Sequence, residues 1–187
     1  MPLFGRRKKK SKVAPVAEET IRSAGVGDVV VISGFSPTYE DAYFLIERVG
    51  RYEGPSGSWH ELIGVDGDRR VAIEWSEDDG LFITVTEQGS AMGIESVGLS
   101  HDELVRMDEE NSLSNSLSYE GDRYTYRNSY EAFAVAQGGG EGEGFYIWEF
   151  AREDGEKLVS VVKSEGVPFE VYTPVVVAPE IVSVYKK

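Results

Sequence analysis

The sequence predicts a mainly β protein in which two related antiparallel β-meanders form one sandwich- or barrel-like body with one or two short helices. The strongest observation is the segment 57–75, where an Asp-Gly pair at 66–67 separates two runs of strand-forming residues. This arrangement is a strong short-range signal for a β-hairpin. Val71, Ile73 and Trp75 alternate with smaller or polar residues, as expected for a half-buried strand.

A weaker copy of this hairpin occurs later in the chain. Similar residues recur at a constant offset of 88 positions, as from Glu61 to Glu149 and from Asp66-Gly67 to Asp154-Gly155. Repetition at one offset indicates an internal duplication, although a generic hairpin pattern also produces some of these matches. The predicted organisation is a basic disordered tail with a short helix at 1–24, then one β-rich domain at 25–187 with halves at about 25–99 and 119–187.

In the first half, strand-forming segments alternate with turn residues. A short helix is expected within 13–25, because glycine at position 25 is a typical helix end. Clusters of Gly, Pro, Asp and Ser separate the segments that follow. The predicted strands are 27–32, 42–51, the two arms of the hairpin within 57–75, and 81–86.

The second half begins with the clearest helix. Ser100 and Glu103 have the spacing of a capping box, and the helix extends to about Met107 or Glu110. The polar segment 108–118 is interpreted as a linker. The later predicted strands are 123–127, 130–137 (whose alanines also permit a helix), the copied hairpin within 145–165, 167–172 and 180–185. Prolines at 174 and 179 keep the residues between them out of a central ladder.

The composition limits the classes of function. The chain has 187 residues, no cysteine and a formal net charge of −14, so disulfides, thiolate nucleophiles and cysteine metal sites are excluded. No apolar run approaches the ~20 residues of a membrane span, and no secretory signal is expected. Subtracting the six positive charges of residues 1–12 from −14 leaves −20, so nucleic-acid binding is not expected. These features predict a cytoplasmic protein.

The N-terminal segment concentrates positive charge beside two apolar residues. One interpretation is a disordered, solubilising start. A second is peripheral contact with anionic lipid at the inner membrane surface, and a third is docking onto the acidic body. The residues predicted to contact lipid are Leu3, Phe4, Arg6, Arg7, Lys8, Lys9, Lys10 and Lys12.

Each predicted hairpin places a carboxylate, Glu61 or Glu149, on an apolar strand face. A carboxylate in such a position is paired, or its pKa rises. A salt bridge or hydrogen bond to a neighbour such as Arg48 or Arg51 is one explanation. A ligand-binding or general-base carboxylate is the other. The candidate binding residues are Trp59, Glu61, Trp148 and Glu149.

Other motifs lack the spacing that their chemistry requires. His60 and His101 lie in different elements, so a histidine zinc site is not expected. The acidic turns at 66–68 and 77–80 lack the alternating oxygen ligands of a calcium loop. The glycine-rich segment 138–144 lacks the Gly-Lys-Ser/Thr ending of a phosphate-binding loop. We therefore assign no metal, no cofactor and no catalytic residue.

The order of these motifs resembles one bacterial family, known as domain of unknown function 4178. The residues that carry the resemblance are Gly27-Asp28-Val29-Val30, a tyrosine-rich strand, Trp59-x-Glu61-x-Ile63, Asp66-Gly67, Val71-x-x-Glu74 and, after a Gly-Glu-Gly loop, Trp148-Glu149-Phe150. The resemblance covers roughly 25–185. Members of that family often accompany genes for membrane-stress and small membrane proteins, so the resemblance implies accessory or scaffolding work rather than catalysis.

The leading functional prediction is a non-enzymatic binding or scaffold protein of the bacterial cytoplasm, with an unidentified protein partner and the membrane surface as one place of action. The alternative is an enzyme or small-molecule binder that uses Glu61 or Glu149 in an aromatic pocket. A deep pocket around either carboxylate would favour the alternative. A shallow surface with apolar or strand-edge patches would favour the scaffold.

Overall fold

A computed structural model of the chain describes residues 20–35, 38, 40–77, 80–136 and 140–187. The lipid-contact residues predicted within 1–12 and most of the helix predicted within 13–25 lie outside the described residues, as do parts of three predicted loops. At the C-terminal end of that predicted helix, Ile21–Ser23 form one 3-10 turn.

Twelve strands and one α-helix make up most of the regular structure of the described residues. The strands are β1 (Val29–Ile32), β2 (Ala42–Gly54), β3 (Gly57–Asp66), β4 (Arg69–Glu77), β5 (Leu81–Glu87), β6 (Ser116–Tyr119), β7 (Asp122–Val135), β8 (Glu141–Arg152), β9 (Leu158–Ser164), β10 (Glu170–Tyr172), β11 (Val175–Val177) and β12 (Val182–Tyr185). The helix is α1 (His101–Glu110), and further 3-10 turns lie at Ile94–Val97 and Pro179–Ile181.

All twelve strands belong to one antiparallel sheet, which confirms the prediction of a mainly β fold with short helical segments. The main strand order is β10-β9-β8-β7-β2-β3-β4-β5-β11, with β1 pairing β2 and β12 and with β6 pairing β7. The two ends of this order, β10 and β11, lie near each other because only two residues separate these strands in the chain. An isolated β-bridge also joins Lys157 to Val175. The sheet itself is not closed.

Both predicted hairpins are present. The two-residue loop Gly67-Asp68 joins β3 to β4, and Gly67 has a φ of +60°, which glycine adopts without steric cost. A longer loop that contains Asp154-Gly155 joins β8 to β9. The meander β2–β5 and the meander β7–β10 thus follow the same pairing order. Their origin by duplication stays a prediction.

Each meander packs its own core against the outer face of the sheet. The first core contains Phe44 and Ile73. The second contains Phe150 and Val161, and α1 covers it by burying Leu104 and Met107. Since successive strand residues point to opposite faces, the alternate residues of the same strands point to the inner face.

The helix begins where the sequence predicts. The Ser100 side chain accepts a hydrogen bond from the Glu103 backbone, and the Glu103 carboxylate accepts one from the Ser100 backbone. The linker predicted at 108–118 is shorter in the structure, where only residues 111–115 lie outside regular structure. The helix continues through Glu110, where left-handed Asn111 ends it, and β6 then pairs with the start of β7.

Two β-bulges decide which residues face inward. The register of β2 shifts after Ile46, so Ile46 lies in the first core whereas Tyr52 points to the inner face. The register of β7 shifts after Tyr126, so Tyr126 lies in the second core whereas Tyr130 points inward. A bulge inserts one residue and therefore reverses the face that later residues occupy.

Candidate functional site: an acidic cavity with aromatic walls

The inner face of the sheet surrounds a cavity of about 620 Å³, to which both meanders contribute. This volume lies within the range of small-molecule sites in proteins. Its walls combine aromatic rings, serine and threonine hydroxyl groups, and carboxylates. The principal rings are Tyr52, Trp59, Tyr130, Phe145 and Tyr172, and the inner carboxylates are Glu61, Glu74 and Glu149.

Curvature of the sheet brings distant strands together across this cavity. β3 and β8 are three strand spacings apart in the sheet order, which is about 14 Å along a flat sheet. The ring centroids of Trp59 on β3 and Phe145 on β8 are nevertheless only 6.4 Å apart. The inward side chains therefore converge on one space although their strands are not neighbours.

Glu61 is paired, as the sequence predicts for a carboxylate on an apolar face. Arg48 Nη2 lies 3.0 Å from Glu61 Oε1, and the Tyr52 hydroxyl donates to the same oxygen at 3.3 Å. Arg51, the other predicted partner, instead pairs with Glu53. The Arg48 side chain is 63% exposed and that of Glu61 10% exposed, so the guanidinium neutralises this carboxylate from the solvent side.

Glu149 on β8 has the position that Glu61 has on β3, but its surroundings differ. The Tyr130 hydroxyl donates a hydrogen bond to Glu149 Oε1 at 3.1 Å. Among the described residues, no Lys or Arg side chain forms a salt bridge with it. Burial raises the pKa of Glu149, and the hydrogen bond from Tyr130 opposes that rise.

Glu74, on β4, is the functional candidate that the sequence reasoning missed. The register of the hairpin sets it directly opposite Glu61, and the indole N–H of Trp59 donates to Glu74 Oε1 at 3.2 Å. Burial raises the pKa of Glu74 to about 7, and the charges of Glu61 and Glu149 add to the rise while Trp59 opposes it. Glu74 keeps part of its surface accessible because that surface borders the cavity.

The inward position of Glu74 could have been predicted by counting residues from the hairpin loop. With the predicted Asp66-Gly67 pair as the two-residue loop, Trp59 would lie opposite Glu74, and Glu74 would already share the face of Glu61. The observed loop is Gly67-Asp68, one residue later, which makes Asp66 the partner of Arg69. Counting back five residues from Asp66 and forward five from Arg69 then places Glu61 opposite Glu74 on the same face. The alternation of Val71, Ile73 and Trp75 hid this, since it made Glu74 look like an ordinary solvent-facing residue.

Three tyrosines are further titratable groups of the cavity, which Glu77 and Glu143 also border. Burial, with smaller effects from nearby carboxylates, raises the pKa of Tyr52 and of Tyr130 far above the usual value of 10.0. The same causes raise the pKa of Tyr172 to about 12. All three therefore remain protonated at neutral pH, and each hydroxyl donates to a carboxylate: Tyr52 to Glu61, Tyr130 to Glu149 and Tyr172 to Glu170.

Trp59 lies at the centre of the aromatic wall. Its ring stacks on Tyr52 with centroids 5.3 Å apart and meets Tyr130 edge-on at 6.5 Å. Offset-stacked and edge-to-face arrangements of this kind are favourable for aromatic pairs. Trp59 is half-buried. Its ring packs against the neighbouring rings and also borders the cavity.

The structure separates the four predicted binding residues. Trp59, Glu61 and Glu149 all border the cavity. Trp148 does not border it: the side chain is 6% exposed and packs in the second core beside Tyr146. Neighbours on a strand point to opposite faces, so Trp148 and Glu149 cannot both reach the inner side.

The histidine in the central hairpin has a packing role. His60 stacks on Trp75 with centroids 4.2 Å apart, and burial lowers the pKa of His60. Among the described residues, no three His, Asp or Glu side chains are grouped so as to hold a metal ion. In that same part of the chain, no helix has the length and apolar character to cross a membrane.

Comparison with known proteins identifies the family. Residues 34–179 match the family described as "Domain of unknown function (DUF4178)". The chain belongs to this family. No curated protein and no solved structure shows significant similarity to the chain. The matched residues contain β2 to β11, so the whole cavity wall lies inside the DUF4178 domain. The resemblance predicted from the order of the motifs is thus confirmed.

Proposed function

We propose that this protein binds a small organic molecule in the cavity, and that Trp59, Glu61 and Glu149 belong to that binding site. The observation that carries the proposal is the cavity of about 620 Å³ around both carboxylates that the sequence singles out. A concave volume of this size accommodates a small molecule, whereas a scaffold surface needs no such volume.

The cost of this arrangement to stability supports the proposal. Glu61 and Glu74 face each other directly across two paired strands, and like charges in that position are destabilising. Burial also disfavours the charged forms of Glu74 and Glu149. Polar groups that oppose folding are typical of binding and catalytic sites.

The test is a ligand screen in which binding is located on the protein. We would record amide NMR spectra with a panel of neutral, cationic and anionic small molecules. The variant Ser160→Phe fills the cavity from β9, where Ser160 borders it. Its matched control is Ser183→Phe, because Ser183 is exposed on β12. We expect hits that shift cavity residues, that are lost in Ser160→Phe and that persist in Ser183→Phe.

Hits that bind Ser160→Phe as tightly as the parent protein would contradict the proposal, as would a panel without a single hit. Thermal denaturation of both variants checks that each remains folded, so that lost binding is not mistaken for lost structure.

Catalysis is the second candidate function for the same cavity. A general base works best when its pKa lies near the working pH, and Glu74 has a pKa of about 7. Following each bound molecule by NMR over hours separates the two functions. A binding protein leaves the molecule unchanged, whereas an enzyme converts it.

The scaffold function in the bacterial cytoplasm stays a prediction. Its support is a row of apolar side chains on three paired strands, with Tyr185 and Leu45 on either side of Val29. Tyr185 is 63% exposed and Leu45 46% exposed. A native pull-down with and without residues 1–12, analysed for protein and for lipid, tests the predicted partner and the predicted membrane contact together.

A further inference from the structure

The cavity has an excess of negative charge. Five carboxylates border it, and no described residue that borders it is Lys, Arg or His; the five are those of Glu61, Glu74, Glu77, Glu143 and Glu149. Arg48 reaches only Glu61. Arg22 pairs with Glu77. Glu74, Glu143 and Glu149 therefore border the cavity without a salt bridge among the described residues, and two of them, Glu74 and Glu149, accept hydrogen bonds from aromatic residues.

The aromatic wall adjoins these two carboxylates. The indole of Trp59 donates to Glu74, and the phenol of Tyr130 donates to Glu149, while the two rings meet edge-on at 6.5 Å. Cations are attracted to the faces of tryptophan and tyrosine rings, and the attraction grows when the cation is removed from water. The cavity thus joins aromatic rings and carboxylates, the two kinds of group that recognise organic ammonium ions.

We propose that the ligand of this cavity is an organic cation that carries an ammonium group, held between Glu74 and Glu149 and against the rings of Trp59 and Tyr130. This inference rests on the proposed function and adds the chemical class of the ligand. Anions are disfavoured by the carboxylates of the cavity. A metal ion is disfavoured because the described carboxylates are not grouped closely enough to coordinate one, whereas an organic cation spans separated carboxylates.

Binding of such a cation is coupled to proton release. The titratable and charged groups around Glu74 are Glu61 on β3, Glu149 on β8, and Tyr52, Tyr130 and Tyr172 on β2, β7 and β10, with Arg48 acting through Glu61. Glu77, which is paired with Arg22, and Glu143 also border the cavity. The tyrosines stay neutral, so the carboxylates dominate. A bound cation favours ionised Glu74 and lowers the pKa of Glu74. Affinity therefore increases as pH rises through about 7, while alkylammonium ions keep their charge.

The test uses four probes of matched chain length that differ in charge: butane-1,4-diamine, 4-aminobutan-1-ol, butane-1,4-diol and succinate. Binding is measured by calorimetry and by NMR shifts of cavity residues. We expect the two amines to bind at least about tenfold more tightly than the diol, and succinate to bind least. We expect amine affinity to rise between pH 6 and pH 8.

Variants assign the effect to the two carboxylates. Glu74→Gln and Glu149→Gln are each expected to weaken amine binding about tenfold, and Glu74→Gln is expected to remove the pH dependence. Glu165→Gln, at an exposed position, is the matched control and is expected to change nothing.

The two proposals fail in different ways. If the diol binds as tightly as the amines, or if Glu74→Gln and Glu149→Gln leave amine affinity unchanged, the inference about an ammonium ligand is wrong, whereas small-molecule binding in the cavity still stands. If no molecule of the wider panel binds in the cavity, the proposed function is wrong as well.

Discussion

The indole N–H of Trp59 donates to the carboxylate of Glu74 across 3.2 Å, from one strand of the central hairpin to the next. The contact gives each residue two roles. Trp59 packs against Tyr52 and also donates a hydrogen bond to the Glu74 carboxylate. Glu74 accepts that hydrogen bond and also borders the cavity, where burial disfavours its charged form. The first two predictions below test the two ends of this hydrogen bond.

Glu74→Gln is expected to stabilise the protein at high pH. The folded-state pKa of Glu74, about 7, lies above its usual 4.5, so the folded protein holds this proton more tightly than the unfolded chain does. Folding stability therefore falls as pH rises from about 4.5 to about 7, by up to about 3 kcal/mol. Urea denaturation should show that Glu74→Gln is more stable than the parent protein at pH 8 and nearly equal to it at pH 5.

The matched control for that comparison is Glu165→Gln, which removes a charge at an exposed position. Parallel stability curves for Glu74→Gln and the parent protein between pH 5 and pH 8 would show that the Glu74 carboxylate does not oppose folding.

Trp59→Ala is expected to destabilise the protein by about 3–5 kcal/mol, the usual range for removal of a large packed aromatic side chain. The loss comes from the ring contacts with Tyr52, Tyr130 and Phe145. Trp59→Phe keeps an aromatic ring but removes the N–H, so it should cost less and should raise the pKa of Glu74 further. Chemical denaturation of both variants measures the costs. An unchanged melting temperature together with lost partner binding for Trp59→Ala would instead identify Trp59 as an exposed recognition residue.

Arg48→Met is expected to cost about 1 kcal/mol, because it leaves the Glu61 carboxylate without its cation. The cost is moderate since the Arg48 side chain is 63% exposed, and exposed ion pairs contribute little. The double variant Arg48→Met/Glu61→Gln should recover most of the loss, because no unpaired charge then remains. Equal costs for the single and double variants would rule out coupling between the two residues.

Gly64→Ala is expected to cost about 1–3 kcal/mol through overpacking. A Cβ atom at Gly64 would lie 2.7 Å from the Cβ atom of Phe44, which is fully buried in the first core. Gly25→Ala is the control, because its new Cβ atom would meet Asp28 Oδ2 at 3.7 Å, an ordinary contact distance. If both variants unfold at the same denaturant concentration, the close approach of β2 and β3 at Gly64 is not tight.

The basic tail is expected to bind anionic membranes weakly. Each basic residue near such a surface contributes about 1 kcal/mol, and the residues that follow the tail carry a charge of −20, as obtained by subtracting six from −14. We expect sedimentation with anionic but not neutral liposomes, lost in high salt and on deletion of residues 1–12. Equal binding by the truncated protein would exclude the tail as the contact, and no binding by either form would leave it a solubilising segment.

Local patterns in the sequence were enough to predict most of the strands and the capped helix. The Asp66-Gly67 pair located the central hairpin to within one residue of its observed loop, Gly67-Asp68, and the capping pair Ser100 and Glu103 located the start of α1. The sequence also predicted a partner for Glu61, such as Arg48 or Arg51, since a carboxylate on an apolar strand face requires one. The structure selects Arg48. The family was identified by the same means, through the order of short motifs.

The cavity could not be predicted from the sequence, because it depends on where strands bend and which strands meet. Bulges after Ile46 and Tyr126 turn Tyr52 and Tyr130 inward, and strict alternation would have placed both on the core side. Sheet curvature, which no local pattern encodes, brings Trp59 to Phe145 across three strand spacings. The sequence by itself determined most of the elements, the central hairpin and the charge of its carboxylates. Only the tertiary structure decided that Glu149 shares one space with Glu61 and Glu74, because that proximity depends on contacts between residues far apart in the chain.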